Sequence, residues 1–500
     1  MGGWGRPTRA GYVVAFVAFL ALTAASCEGG EWRTTATPSP ERAAHVALLH
    51  TGKVLMVAGS GNNKAAFDAG SFTTSLWDPT TETFEAVATP WDAFCAGHAF
   101  VPDGRLLVAG GNSAYPGPTT NNANGGSQKS YVFDPATSTY VAQPDMATAR
   151  WYPTVVELGS GNLFTVGGLD ATGLRTNTSQ RFAVKTSTWS TSKEPPSQLS
   201  FMPLYPSLHL LASGELFYSG ATVFGAGPTS PGIWNTTTNT WKSVPGLTDA
   251  GKRDQAMSVL LPPAQDQKVM IMGGGLQDQP VDAVDTTAIV DLKAASPTYV
   301  PGPAMDTKKM YVSAVILPDS TVFETGGASS TVKNGNKAVY SSQIFDPKTS
   351  TWSKVARPTV PRVYHSSALL LPDGRVATFG GNPVDGFEMR VEIFTPPYLQ
   401  THTPRPTIVS APTEITYKGT YALATTQAAA LRSAVLVRPE AVTHSMDPGQ
   451  RLIDLPLTAT ATGISVKVTN SANIAPPGWY MLFVVDSNGV PSVAKWLHLG

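Results

Sequence analysis

Residues 366–381 read Ser-Ser-Ala-Leu-Leu-Leu-Pro-Asp-Gly-Arg-Val-Ala-Thr-Phe-Gly-Gly: an apolar run, a turn at Asp373-Gly374, a second apolar run and a closing diglycine. Two short apolar segments joined by Asp-Gly have the form of a β-hairpin. The same order recurs along most of the chain. Diglycines close the second run at Gly110-Gly111, Gly167-Gly168, Gly273-Gly274, Gly326-Gly327 and Gly380-Gly381, with degenerate forms at Gly59-Ser60 and Ser219-Gly220. A third short strand follows each pair, then a turn such as Asp346-Pro347-Lys348-Thr349 and an aromatic: Phe84, Tyr140, Trp189, Trp241, Tyr299 or Trp352.

A repeat of about 50 residues built this way is the signature of a kelch-type β-propeller, and the diglycines count seven units over residues 31–400. The seventh unit runs from Ile393-Phe394 into Thr395-Pro396-Pro397 and lacks the closing aromatic, whereas Glu31-Trp32-Arg33-Thr34 resembles an orphan fourth strand. The N-terminal strand is therefore expected to complete the seventh blade, which removes the exposed edges of an open arc. From about Pro404 the repeat stops. Alternating strands over 414–418, 433–438, 463–469 and 478–486 predict an immunoglobulin-like β-sandwich over 404–500. The expected class is all-β, with no long amphipathic helix.

Charged residues make up 14% of the chain, with 35 Lys and Arg against 35 Asp and Glu, and no basic run stands out. Zero net charge removes the electrostatic basis for nucleic-acid or acidic-membrane binding, so neither is an expected partner. Arg6 and Arg9 precede an apolar stretch over 12–25 that ends in small residues, so residues 1–27 read as a signal segment. Ala24-Ala25-Ser26-Cys27 resembles a lipobox with Ala24 where Leu is usual. The mature chain is then secreted or held at the cell envelope, touching membrane only through a lipid on Cys27, and is expected to be a monomer. Cys95 is the one cysteine left, an unpaired thiol in an oxidising compartment, which by itself fits a buried, inert residue.

Register carries the argument for chemistry. Nine residues before the turn glycines Gly104, Gly161 and Gly214 stand Cys95, Tyr152 and Tyr205; nine before Ser320 stands Tyr311, and ten before Gly374 stands Tyr364. These places open the innermost strands, which line a propeller's channel in one direction, so the residues ring the axis at one end. Taken singly, each aromatic fits a hydrogen-bonded channel lining. A Cys, several Tyr and His365 in one ring ask for more, and phenol oxygens with imidazole nitrogens make a donor set that suits tetragonal Cu(II) better than zinc or magnesium.

At these residues the sequence resembles the galactose oxidase and glyoxal oxidase family of copper radical oxidases, from Glu31 to Gly500. The matching stretches are Phe94-Cys95-Ala96-Gly97, Arg150-Trp151-Tyr152-Pro153, Arg362-Val363-Tyr364-His365-Ser366 and Val442-Thr443-His444-Ser445-Met446-Asp447, followed by Gln450-Arg451. The Arg-Trp-Tyr triplet and Gly478-Trp479-Tyr480-Met481-Leu482-Phe483 bring it nearer the glyoxal oxidase side. The resemblance implies that Cys95 is bonded through sulfur to the Tyr152 ring, and that this phenol binds copper and holds a radical. Tyr364 would be axial ligand and general base, with His365 and His444 as nitrogen ligands. His444 lies outside the repeats, so the sandwich must send its loop into the channel. The substrates implied are small aldehydes of the glyoxal type or primary alcohols, with O2 as oxidant and H2O2 as product.

Two departures stand out. Galactose oxidase carries a tryptophan after the diglycine of the blade with the cross-linked tyrosine, whereas Leu169 and Asp170 follow Gly168 here. The repeat opens directly after the signal segment, so no counterpart of the carbohydrate-binding sandwich that precedes the galactose oxidase propeller is expected. His45, His50, His98 and His209 read as hydrogen-bonded core or channel groups, His402 and His498 as domain-edge residues, and Tyr205 and Tyr311 as candidates for the substrate pocket. The competing reading is a non-catalytic kelch propeller that binds glycans or proteins.

Overall fold

Ser366–Leu370 and Val376–Gly380 pair antiparallel, Ser366 opposite Gly380 and Leu370 opposite Val376. The turn between them is held by Asp373, whose carboxylate accepts from the Arg375 amide at 3.0 Å, and by Gly374 at φ +87°. The computed structural model describes residues 1–3, 29–199, 202–225, 230–276, 283–331, 337–384, 386–401 and 404–500. Arg6, Arg9, the apolar stretch, Cys27 and His402 lie outside the described residues.

Seven antiparallel four-stranded meanders follow one another among the described residues, one of them extended by a fifth strand. Burial falls from the first strand to the fourth. In the seventh sheet every residue of Ser366–Leu370 and Val376–Gly380 is buried, whereas Thr351–Val355, the fourth strand of the sixth, is mostly exposed. First and second strands covered on both faces read as unbroken apolar runs, which is why they dominate the sequence pattern.

The aromatics that close the units tie each sheet to the one before it. Trp189 Nε1 donates to Ser130 Oγ at 3.1 Å, Tyr299 Oη to Ser219 O at 2.9 Å and Trp352 Nε1 to Pro303 O at 2.9 Å. Glu31–Thr34 pairs antiparallel with Glu392–Thr395, as expected, and Trp32 donates to Ala356 O at 2.8 Å in the sixth sheet's closing segment. The first strand of the seventh sheet, Ser366–Leu370, lies beside that of the first, His45–Leu48.

Beyond residue 404 a five-stranded and a three-stranded sheet enclose Leu423, Ala434, Leu436, Ile453, Ile464 and Leu482. The strand Ala441–Thr443 leaves this pair and adds to the inner edge of the first sheet, Thr443 opposite His45 and Ala441 opposite Ala47. Its flank is pinned by a buried ion pair, Arg438 Nε to Glu157 Oε2 at 2.6 Å, and by Gln450 Nε2 donating to Ala314 O at 3.1 Å.

Candidate metal centre

The residues that open the innermost strands share an unusual backbone. Cys95, Tyr152, Tyr205, Gln255 and Tyr311 have φ of +60°, +64°, +42°, +59° and +63°, a conformation that bulky side chains adopt only where the surroundings impose it. A belt of main-chain hydrogen bonds does so. Tyr152 N donates to Cys95 O at 2.9 Å, Tyr205 N to Tyr152 O at 2.9 Å and Tyr311 N to Gln255 O at 2.8 Å. The diglycines make room for this approach: a Cβ on Gly110 would sit 2.4 Å from Arg150 O, and one on Gly380 2.6 Å from His365 O.

In the seventh unit the left-handed place belongs to His365, at φ +134°, and Tyr364 stands one residue earlier. Counting nine from Gly374 therefore gives His365, so Tyr364, expected to be equivalent to Tyr152, is offset by one. That offset lets two neighbouring residues of one sheet reach the cluster: their ring centroids are 3.8 Å apart.

The side chains converge. The Cys95 sulfur and a ring nitrogen from each of His365 and His444 all lie within 4.8 Å of one another. The Tyr152 and Tyr364 hydroxyls hydrogen-bond each other, and His444 Nε2 stands 3.0 Å from Tyr152 Oη and 3.8 Å from Cys95 Sγ. All five residues are buried. Thr443 sets the tautomer of His444. Its hydroxyl lies 3.1 Å from Ala44 O and also meets His444 Nδ1; with its proton on the carbonyl it accepts from Nδ1–H, the tautomer that leaves the Nε2 lone pair facing the phenols. Neither ring nitrogen of His365 has a partner of good hydrogen-bond geometry among the described residues, although the Asn382 amide stands beside it.

Burial dominates the electrostatics. It pushes Tyr152 and Tyr364 well above the ordinary phenol range, with the Cys95 thiol raising both further. It holds His365 and His444 well below the imidazole range, with Arg42 adding to the effect. Without a metal the centre thus holds neutral phenols and neutral imidazoles. Two imidazole lone pairs and two phenol oxygens brought together in a buried cluster form a nest that a divalent cation stabilises by deprotonating the phenols. This donor set fits copper.

Residues 73–405 match the family model described as Glyoxal oxidase N-terminus, and residues 405–499 match Galactose oxidase-like, Early set domain. The chain belongs to the glyoxal oxidase family. It is an enzyme of the copper radical oxidase class. Like other relatives in this family, it aligns with a galactose oxidase of Gibberella zeae, 29% identical over 94% of this chain and 70% of that protein. It also aligns with the aldehyde oxidase GLOX1 of Arabidopsis thaliana, 27% identical over 87% of this chain and 76% of that one. The fold is shared with a fungal alcohol oxidase solved in complex with copper, at a TM-score of 0.76 and 23% identity over 94% of this chain and 99% of the other.

Around the cluster stand further aromatic residues, of which Phe224 has no sequence signal. Trp151 packs on Tyr152 with centroids 4.0 Å apart, and Phe224 lies 5.3 Å from the Tyr364 ring. Tyr205 sits 4.6 Å from Tyr152 and donates its hydroxyl to Ala96 O at 2.7 Å, while Tyr311 packs 5.3 Å from Tyr364. Gln255 is hidden in the sequence because its hairpin turns through Pro262-Pro263 and a 3-10 segment, Ala264–Asp266, and carries no turn glycine. Arg42 was open to the same count, ten residues before Gly52. Of the other histidines, His45 Nε2 accepts from Cys95 N at 3.1 Å and His209 meets Ser258 Oγ at 2.8 Å. His98 departs from expectation: it is buried, yet neither ring nitrogen has a partner of ordinary geometry among the described residues. His50 stacks on Trp479 at 4.6 Å, and His498 pairs with Glu414 at 2.8 Å.

Proposed function

We propose that this chain is a mononuclear copper oxidase that converts small aldehydes of the glyoxal type, as their hydrates, or primary alcohols with O2, releasing H2O2. The observation that carries the reading is the meeting of Tyr152, Tyr364, His365 and His444 with Cys95 in one buried cluster. For an aldehyde the balance is RCH(OH)2 + O2 → RCOOH + H2O2: a C–H and an O–H bond break, and both hydrogens with two electrons pass to O2. Copper, when bound, supplies one-electron redox chemistry and a Lewis acid at the phenols.

His365 and His444 are assigned as nitrogen ligands, and Tyr152 and Tyr364 as oxygen ligands. Tyr364 Oη takes the substrate's hydroxyl proton, a role suited to a phenol held neutral until a cation draws its proton away. Tyr152 holds the second electron equivalent as a phenoxyl. Its proposed thioether to Cys95 forms by loss of the S–H and one ring C–H hydrogen, both to O2, and eases oxidation of the ring. Trp151, Tyr205 and Phe224 pack on that ring and keep water from it. Tyr205 and Tyr311 remain the proposed pocket wall. The seven sheets over residues 31–400 are read as blades of one propeller, with the 404–500 unit as the module that delivers His444. Export through the 1–27 segment, to a secreted or envelope site, is part of the same proposal.

The test is peroxide release from copper-loaded protein over a panel of aldehydes, alcohols and sugars, with copper content measured alongside. About one copper per chain is expected, with His365→Ala and His444→Ala each losing most of it, because each removes one of two nitrogen donors. A fully loaded chain that releases no peroxide with any member of the panel overturns the reading.

A further inference from the structure

Arg42 sits in the segment before His45–Leu48 and is only 3% exposed. Among the described residues its one hydrogen bond runs from Nη1 to Asn382 Oδ1 at 2.5 Å, and Nε and Nη2 are buried with no partner there. No carboxylate of the described residues balances its charge. Four other buried arginines have carbonyl or carboxylate partners, although Arg150 Nε is also without one among the described residues. Arg150 donates to Gly167 O, Arg253 to the carbonyls of Gly273, Thr248 and Thr286, Arg362 to those of Gly380 and Arg390, and Arg438 pairs with Glu157. A guanidinium stays charged even when burial pulls its pKa down, as here, so an unpaired one in a dry pocket is costly unless an anion meets it.

Its position says where that anion lies. The guanidinium carbon is 4.4 Å from the ring centroid of Phe387, which is half exposed, and 5.7 Å from that of Phe94, whose ring is 5.9 Å from His365. Asn382, which holds Nη1, donates its own amide to Tyr364 O at 2.6 Å. Arg42 therefore stands between the surface at Phe387 and the ligand cluster, and its charge is felt at His365 and His444 alike. Aromatic rings take the faces of the guanidinium, and the Nε and Nη2 edge, the one that binds a carboxylate through two parallel hydrogen bonds, is buried with no partner among the described residues.

We propose that Arg42 is the specificity-determining residue of this site: it binds the carboxylate of an aldehyde substrate, so that the chain selects α-oxo acids bearing an aldehyde over neutral aldehydes. The inference rests on the oxidase reading for the reaction but not for the binding. A carboxylate held at Arg42 places the adjoining aldehyde hydrate toward Tyr364, and oxidation yields a dicarboxylic acid by the balance given above.

Two measurements test it. Glycolate should bind the metal-free full chain in calorimetry, and Arg42→Met should abolish that binding; no binding to the unaltered chain overturns the proposal whether or not the protein is an oxidase. In copper-loaded protein, the ratio of kcat/KM for glyoxylate to that for glyoxylamide, its neutral counterpart, should fall about 10- to 100-fold in Arg42→Met, as expected for losing a charge-assisted hydrogen-bonded pair. Arg42→Lys should recover part of the ratio. If Arg42 served only to balance the tyrosinates, both substrates would decline together and the ratio would stay constant, which overturns the proposal. Failure of the oxidase reading shows separately, as loaded protein that releases no peroxide yet still binds glycolate.

Discussion

Cys95 separates a radical oxidase from an ordinary copper protein with the same nitrogen ligands. Its sulfur lies among the ligand atoms, and burial pushes the thiol well above its ordinary range, so in the metal-free chain it is a poor nucleophile. After treatment with copper and O2, with Cys27 removed, the intact mass should fall by two hydrogens. The thiol should then resist alkylation even in unfolded protein; a Cys95 that alkylates freely in active, unfolded material refutes the thioether. Cys95→Ser should fold and bind copper but lose most turnover. Tyr364→Phe should keep the metal and lose about 10²- to 10⁴-fold in rate, the usual contribution of a positioned base, and unchanged turnover would place the base elsewhere. Much of this site was legible from a count of nine from each turn glycine, because hairpins of equal length bring equal places to the same belt of main-chain hydrogen bonds. The count fails where a turn is rebuilt, as at Gln255, and slips by one at His365. Arg42 falls on the same count, ten residues before Gly52, but only its lack of partners among the described residues in three dimensions singles it out.

The strand Ala441–Thr443 is a long-range pairing that no local pattern announces. Apolar runs and glycines made the hairpins readable, and the orphan aromatic Trp32 predicted the partner of Glu392–Thr395. An edge strand donated by the C-terminal unit to the first sheet has neither signal, since its three residues are short and their pairing is set by the Glu157–Arg438 pair and the turn at Asp447. Thr443 is the element's link to the metal. Thr443→Val keeps the shape and removes the acceptor of His444 Nδ1–H, so copper affinity should drop about 10- to 100-fold in a competitive chelator titration, as for other partners of ligating histidines. Affinity within twofold of the unaltered chain would mean that the tautomer is set by something else. Deleting residues 404–500 should abolish copper binding altogether, because His444 goes with them.

At the scale of the molecule, several carboxyls are buried, and Asp254 is among those pushed up, to about 7, by loss of hydration. An unfolded Asp titrates near about 3.9, so the folded chain holds this proton the more tightly. The sign follows: the stabilisation is full below about pH 4 and is lost as pH rises through about 7, on the order of a few kcal/mol. Asp254→Asn has no such loss. The thermal midpoint of the metal-free variant should therefore gain on the unaltered protein between pH 5 and pH 8; a constant gap would show that Asp254 is ionised throughout. Glu157→Gln acts differently, leaving Arg438 buried without its counterion, and should cost about 3–5 kcal/mol in chemical denaturation.

The pairing of Glu31–Thr34 with Glu392–Thr395 also orders events in time. A ribosome makes the first of these strands early and its partner only near the end, so the earliest segment waits unpaired while the intervening sheets stack. Closing so large a loop is slow, because its entropy must be lost before any contact repays it. The ligand from the C-terminal unit arrives later still. An emerging chain therefore has no assembled binding site to offer passing metal ions, and whatever cation the centre finally takes is chosen by the finished protein in the compartment where folding ends.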